Sequence, residues 1–241
     1  MHAHASIEPL AWETEFFALN SAKLNFSTAA PMLTEAELDA YALVQAKIPA
    51  HQTACADGLA RLGFQLVEGE VDLVLNIGTE CASSYTVAMQ AIRPAGPADI
   101  PMLRAAAASV FTASRFRAPW YHSQDSGRFY AEWIEKAVLG TFDHQCLLAL
   151  DPTGQPEGFV SLRELGGQEA RIGLLAAFPG ASGKGIGSRL MAAAIAECRS
   201  LQRLRVATQL GNLAALRLYQ RQGAVIESTS YWLYRGRHDP I

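Results

Sequence analysis

At 241 residues the chain is long for one compact domain and suits one large domain or two small ones. Half of its residues are hydrophobic and 18% are charged, which excludes a disordered chain and allows a sizeable core. Lys and Arg number 20 against 23 Asp and Glu, a formal net charge of −3, so neither nucleic acid nor an acidic membrane is held through bulk charge.

The first seventeen residues lack the basic start and apolar run of a secretory signal. No stretch approaches the roughly 18 uninterrupted apolar residues that would span a bilayer. Cys55, Cys81, Cys146 and Cys198 lie far apart with no Cys-x-x-Cys pair, and the six histidines show no metal-binding spacing. The expectation is a cytoplasmic protein with reduced thiols and no metal.

In chain order, residues 12–26 read as strand-bearing, 35–47 as helical and 54–62 as helical. Gly63 then opens a strand region that ends near Ile77 and contains a turn at Glu68. This helix–glycine–strand order echoes residues 213–235 and hints at a degenerate second copy of one motif. Two prolines and a glycine between Ile92 and Asp99 mark an internal boundary, so residues 1–91 are expected to form a smaller N-terminal α/β domain and 92–241 a second one. Asp99 suits the cap of a helix over 99–113 whose first turn tolerates Pro101.

A second helix is expected over 126–139, with Phe129, Trp133, Ile134 and Ala137 on one face and Gly140 as its left-handed terminator. Strands at 145–150, 158–165 and 170–178, separated by turns at Asp151–Gly154 and Gly166-Gly167, describe an antiparallel meander. A helix over 187–200, a strand over 204–208 and a helix over 213–222 ending at Gly223 follow. Two strands, 225–228 and 230–235, and a frayed tail close the chain.

The turn after the third meander strand bears Gly180, Gly183, Gly185 and Gly187 and opens directly into an amphipathic helix. Glycines let a backbone approach a ligand, and a helix start offers unpaired N–H groups and a dipole that favour pyrophosphate. Lys184 and Arg189 add positive charge. No Walker spacing occurs, and the meander before the turn argues against a Rossmann fingerprint. A plain flexible loop is the competing reading.

The glycine turn from Ser182 to Gly187, and Asn212, Ala215 and Tyr219 followed by Gly223, together resemble the GCN5-related N-acetyltransferase (GNAT) superfamily. The glycine turn from Ser182 to Gly187 is similar to its Gln/Arg-x-x-Gly-x-Gly element, with Ser182 in place of the usual Gln or Arg. Asn212, Ala215 and Tyr219 followed by Gly223 match its second element, Asn-x-x-Ala-x-x-x-Tyr and a later glycine. The runs 5–10, 66–73, 114–121, 126–130 and 140–146 further resemble a bacterial branch that acetylates a dTDP-linked amino sugar, and they span both expected domains.

The resemblance implies a mixed α/β (α+β) fold, the GNAT fold, with a central mostly antiparallel sheet flanked by helices. It implies acetyl-CoA as cosubstrate, a nucleotide-sugar acceptor on the route to enterobacterial common antigen, and a homodimer. It implies that Tyr219 is the general acid toward the CoA sulfur, that Asn212 holds the pantetheine arm, and that the backbone at Leu174, Leu175 and Ala176 pairs with pantetheine and the thioester oxygen. Ser182, Gly183, Lys184, Gly185, Gly187 and Ser188 would hold the pyrophosphate. Asn212 also suits a plain helix N-cap.

Glu68, from the first domain, either accepts the amine proton through water or is a turn residue, and a weakly basic amine needs no dedicated base. A diphosphate and a thymine call for cations and an aromatic wall, for which Arg115, Arg117, Trp120, Tyr121, Arg128 and Tyr130 form a cluster. Individually each also reads as a surface arginine or core aromatic. Asp143 and His144 read as structural. Two other functions stay open: the same fold acting on another amine, such as a different nucleotide amino sugar, a peptide N-terminus or an antibiotic, and a CoA-binding sensor without catalysis.

Overall fold

The computed structural model describes residues 4–77, 91–181 and 183–236. Its elements are β1 (Ala5–Pro9), α1 (Ala11–Phe17), β2 (Ser21–Phe26), α2 (Glu35–Leu38), β3 (Leu43–Pro49), α3 (Thr53–Arg61), β4 (Gln65–Asn76), β5 (Ile92–Pro94), α4 (Ile100–Val110) and α5 (Asp125–Val138). The remainder are β6 (Gln145–Leu150), β7 (Pro156–Gly166), β8 (Glu169–Ala177), α6 (Ile186–Glu197), β9 (Arg203–Gln209), α7 (Leu213–Arg221) and β10 (Val225–Gly236). Among the described residues the strands form one sheet in the order β1-β2-β3-β10-β4-β9-β8-β7-β6-β5. Cys81, Ser182 and the last five residues of the expected tail lie outside the described residues.

The helices and strands expected after residue 92 fall within a few residues of these bounds. β6, β7 and β8 pair antiparallel in sequence as a meander. Five earlier or finer expectations need correction. Residues 11–17 are helical rather than extended: Trp12 and Phe16, one turn apart, stack with ring centroids at 5.0 Å, and Phe17 is buried. The helix expected over 35–47 stops after one turn, closed at its start by a capping box between Thr34 and Glu37, and the chain becomes β3 at Leu43.

β3 is buried on both faces from Leu43 to Ala46, so it carries no alternating pattern to set against a helical reading. Glu68 occupies no turn: β4 runs unbroken past it, with Glu68 opposite Trp232 of β10. β10 is likewise one strand, its pairing with β4 shifting register at Glu227 and again at Val67 of β4. Asp99 makes no side-chain cap to α4; its carboxylate takes both Arg93 nitrogens at 2.7 Å and the Gly96 N–H at 2.8 Å. The Arg93 hydrogen bonds hold its pKa down to about 2.

The echo between 54–77 and 213–235 is a structural relation. α3 ends at Gly63 (φ +84°) and leads to β4; α7 ends at Gly223 (φ +89°) and leads to β10. β2 pairs parallel with β3, and β8 parallel with β9. Each strand that follows a helix then crosses to the other half: β10 pairs with β3, and β4 with β9. The six strands β2-β3-β10-β4-β9-β8 therefore read as a palindrome. Leu59 of α3 stands four residues before its glycine, as Tyr219 does in α7, and the single turn of α2 stands where α6 lies between β8 and β9.

Alternation along the strands assigns the faces. Leu147, Ala149, Val160, Leu162 and Ile172 pack under α6 and α7, while Cys146, Leu148, Phe159 and Leu174 pack under α4 and α5. In the other half α3 covers Val44, Ala46 and Ile48, and α1 joins residues 116–121 over Leu43, Val67 and Tyr234. Leu148 is fully buried between β6 and the α4–α5 pair, so Leu148→Ala is expected to cost about 2–5 kcal/mol of stability in urea unfolding, from lost transfer energy and a residual cavity.

Candidate active site

β8 and β9 pair only as far as Ile172 with Val206, although β8 runs on to Ala177 and β9 to Gln209. Their free ends open a gap in the middle of the sheet. The Phe178 N–H donates to the Glu157 carbonyl at 2.7 Å, which sets the β7–β8 alternation: Phe178 and Ala176 face β7, and Leu175 and Ala177 turn their N–H groups into the gap. The gap widens into a cleft of about 920 Å³.

One end of the cleft is the glycine turn. Gly185 takes φ +78° at the start of α6, with no atom within 4 Å of where its side chain would be, and it lines the cleft with Gly187 and Ser188 of the first helical turn, whose N–H groups have no partner within the helix. Gly187 is needed for another reason: a Cβ there would meet Leu218 of α7 at 2.9 Å, so the glycine permits α6 and α7 to approach. Gly183, Ser188, Leu174, Leu175 and Ala176 line the cleft with these two, and Lys184 does not.

α7 carries the middle of the site. Its amphipathic face buries Tyr219, which is 5% exposed and lines the cleft. Burial pushes the Tyr219 hydroxyl up to about 12, so it remains a protonated donor at neutral pH. Asn212 also lines the cleft, and its side-chain oxygen accepts the Ala215 N–H at 3.2 Å; it is a helix N-cap whose amide nitrogen remains available.

The far end is built by the exchanged strands. Glu68 of β4 lies in the cleft, where burial raises its carboxyl to about 7 against the opposing charge of Arg115, with Glu70 adding to the rise. Glu70 behaves oppositely. Burial acts to raise it as well, but hydrogen bonds from Lys47 at 2.6 Å and Trp232 Nε1 at 3.0 Å outweigh that and hold it below its ordinary value. Two neighbouring carboxyls are thus driven apart, Glu70 held below its ordinary value and Glu68 raised to about 7.

Arg115 is fixed beside Glu68. Its guanidinium donates to Gln45 Oε1 at 2.9 Å and to the Tyr234 hydroxyl, and lies 4.1 Å over the Trp232 ring and 4.2 Å over Phe116.

Of the other residues expected around the acceptor, Tyr130 lines the cleft and four do not. Trp120 and Tyr121 are buried in the aromatic cluster with Phe17, Phe116 and Tyr234, which takes up their faces. Arg117 donates to the Val67 and Ala118 carbonyls. Arg128 is held by Asp125 at 2.7 Å and by the Phe16 carbonyl at 3.1 Å. The sequence reading missed Trp232, Trp133, Phe111, Phe129 and Arg171, all of which line the cleft. Phe129 and Trp133 were visible as one helix face; Trp232 and Arg171 depend on strand pairings that no local pattern reveals.

The described helices include none long and apolar enough to cross a membrane. Residues 108–224, which hold the cleft lining from the end of α4 to α7 but not Glu68, Glu70 or Trp232, match the model of the acetyltransferase (GNAT) family. A protein of Escherichia coli O6:H1 named dTDP-fucosamine acetyltransferase is 52% identical over 237 residues, 98% of this chain and 100% of its own length. A conserved protein of unknown function from Staphylococcus epidermidis superimposes with a TM-score of 0.62 at 15% identity, over 98% of this chain and 92% of that one. A GCN5-related N-acetyltransferase from Sphaerobacter thermophilus gives a TM-score of 0.55 at 16% identity over 80% of this chain, which spans 59% of the length of that structure. A relative this similar over almost the whole chain, and a family match across β8, the glycine turn and α7, make this protein a member of the GNAT family of acetyltransferases.

Proposed function

We propose that the protein transfers the acetyl group of acetyl-CoA to the 4-amino group of dTDP-4-amino-4,6-dideoxy-D-galactose (dTDP-fucosamine), on the way to enterobacterial common antigen. The observation that carries this reading is the meeting, in one cleft, of the open β8 edge, the buried Tyr219 hydroxyl and the near-neutral Glu68 carboxyl. The name of the Escherichia coli relative supplies the acceptor. A cytoplasmic location and a homodimer belong to the same reading, as does a division at residue 91, with the N-terminal part supplying Glu68 and the acceptor wall.

The residues present fit acetyl-CoA: a helix start faced by open space, outward amides along β8, and a cleft continuous between them. When bound, it supplies an activated acyl carbon and a thiolate leaving group. The α6 amides with Gly183, Gly185 and Ser188 hold the pyrophosphate, and Leu175, Ala177 and the Asn212 amide nitrogen hold the pantetheine arm. The Leu175 N–H, the first that β8 turns into the gap beyond Leu174, stabilises charge on the carbonyl oxygen. Tyr219 donates its proton toward the departing sulfur, and Glu68 receives the proton of the attacking amine, directly or through one water.

Arg171 precedes this point on β8 and stands 3.6 Å from Asp72, so together with Arg115 it offers the acceptor end a pair of cations for the diphosphate. Phe116, Phe129, Tyr130 and Trp232 offer apolar faces for the thymine and the deoxy-sugar methyl.

Thiol release is the test. With acetyl-CoA, the protein is expected to release CoA in the presence of dTDP-fucosamine and not with a UDP-linked amino sugar or a peptide N-terminus. Release with another amine and none with dTDP-fucosamine would keep the fold and sink the acceptor. Binding of CoA without release toward any amine would favour a sensor.

A further inference from the structure

β8 changes alternation at one place. Leu162 pairs with Ile172 and Val160 with Leu175, so Ser161 of β7 stands opposite two residues, Gly173 and Leu174. The Leu162 carbonyl accepts from His144 on the β6 side, which leaves Arg163, Ser161 and Phe159 bonding toward β8. Before the bulge the odd-numbered Arg171 therefore faces β7; after it the even-numbered Ala176 does. The extra residue is what turns the Leu175 and Ala177 amides away from the ladder and into the cleft.

A buried polar chain stands under that bulge. Ser161 Oγ accepts the Leu174 N–H at 2.9 Å, and its own hydrogen goes to Asp143 Oδ2 at 2.5 Å. Asp143, with no exposed surface, also accepts Trp133 Nε1 on Oδ2 at 2.9 Å and Arg163 Nε on Oδ1 at 2.9 Å. Three donors converge on an acceptor-only group, a pattern that an amide could not reproduce, since its nitrogen would face another donor. The fit is close enough that a Cβ on Gly173 would lie 2.2 Å from Asp143 Oδ2 and 2.8 Å from Ser161 Oγ. Neither Asp143 nor Ser161 lines the cleft, whereas Trp133, Gly173 and Leu174 do.

We infer that Asp143 is a positioning residue for acyl transfer: through Ser161 it fixes the Gly173–Leu174 bulge and so aims the β8 amides at the acetyl end of the cleft. This rests on the proposed use of acetyl-CoA. The side chain touches no substrate; it acts through a hydroxyl and a backbone. Its loss is therefore felt where the acyl carbonyl is held and not at the glycine turn, which lies beyond the end of β8.

Two variants test it, Asp143→Asn and Ser161→Ala, the second removing one oxygen and leaving the carboxylate its Trp133 and Arg163 partners. Both are compared with the wild type for kcat, for KM, and for the affinities of acetyl-CoA and of free CoA measured without an amine. The expected result is a fall in kcat of about 10- to 100-fold from a misplaced reacting group. The affinity for free CoA should stay unchanged, and any preference of the wild type for acetyl-CoA over CoA should shrink. Should Asp143→Asn fail to fold, Ser161→Ala carries the comparison. An unchanged kcat and acetyl preference in folded Ser161→Ala would overturn the assignment, and so would an equal weakening toward both forms of CoA. If the wild type binds acetyl-CoA but acetylates no amine, the proposed function fails while the binding comparison still reads the role of Asp143.

Discussion

Tyr219→Phe is expected to lower kcat by about 100-fold, in the range of a lost general acid, while the dissociation constant for CoA stays within about twofold. The substitution removes one oxygen from a ring that α7 packs almost completely against the core, so the cleft keeps its shape. Burial alone shifts this hydroxyl, with no hydrogen bond from the described residues acting on it, so no protein hydrogen bond is lost with it. What disappears is the donor that meets the sulfur as it gains charge. Single-turnover kinetics of thiol release beside a CoA titration measure both quantities. Equal turnover by the two proteins would remove Tyr219 from the chemistry and leave it a packing residue.

Glu68→Gln is the second large effect, a fall of about 100-fold in kcat/KM at neutral pH if the carboxylate takes the amine proton. The working form is the charged one. With burial raising the carboxyl to about 7, wild-type kcat/KM should rise with pH below that value and level above it. In Glu68→Gln that limb should vanish, while any titration of the amine substrate itself persists in both proteins. A variant that keeps both the rate and the limb shows that water alone receives the proton. Glu70 gives no comparable limb, because Lys47 and Trp232 keep its carboxylate charged through that range.

The second half of the chain was legible because its signals are local. The left-handed glycines at 140, 154, 166, 167, 180, 183, 185 and 223 fall at the turns and helix ends where a sequence reader places breaks. The glycine turn and Tyr219 belong to motifs that lie within one strand–helix or helix–strand step. The first half hid itself in two ways. β3 is central and buried on both faces, so it lacks a period, and α2 begins with a strong capping box yet lasts a single turn. The acceptor wall was hidden by distance: Trp232 reaches Glu70 across 162 residues of chain, and only the pairing of β4 with β10 brings them together. Trp120 and Tyr121 misled in the opposite sense. Their neighbourhood in sequence is rich in arginine and aromatics, but the partners that claim them, Phe17 and Tyr234, come from remote parts of the chain.

The exchange of β4 and β10 imposes an order on the protein's making. β2 and β3 leave the ribosome well before β10, yet the neighbour that β3 requires is β10, the last described strand to be synthesised. The early half therefore waits with an unpaired strand edge, a surface prone to wrong partners, until every other described strand has emerged. The same late strand brings Trp232 to Glu68 and Tyr234 to Arg115. The acceptor end of the cleft is thus completed only once β10 has emerged, and a product interrupted before β10 would hold the glycine turn and Tyr219 without it.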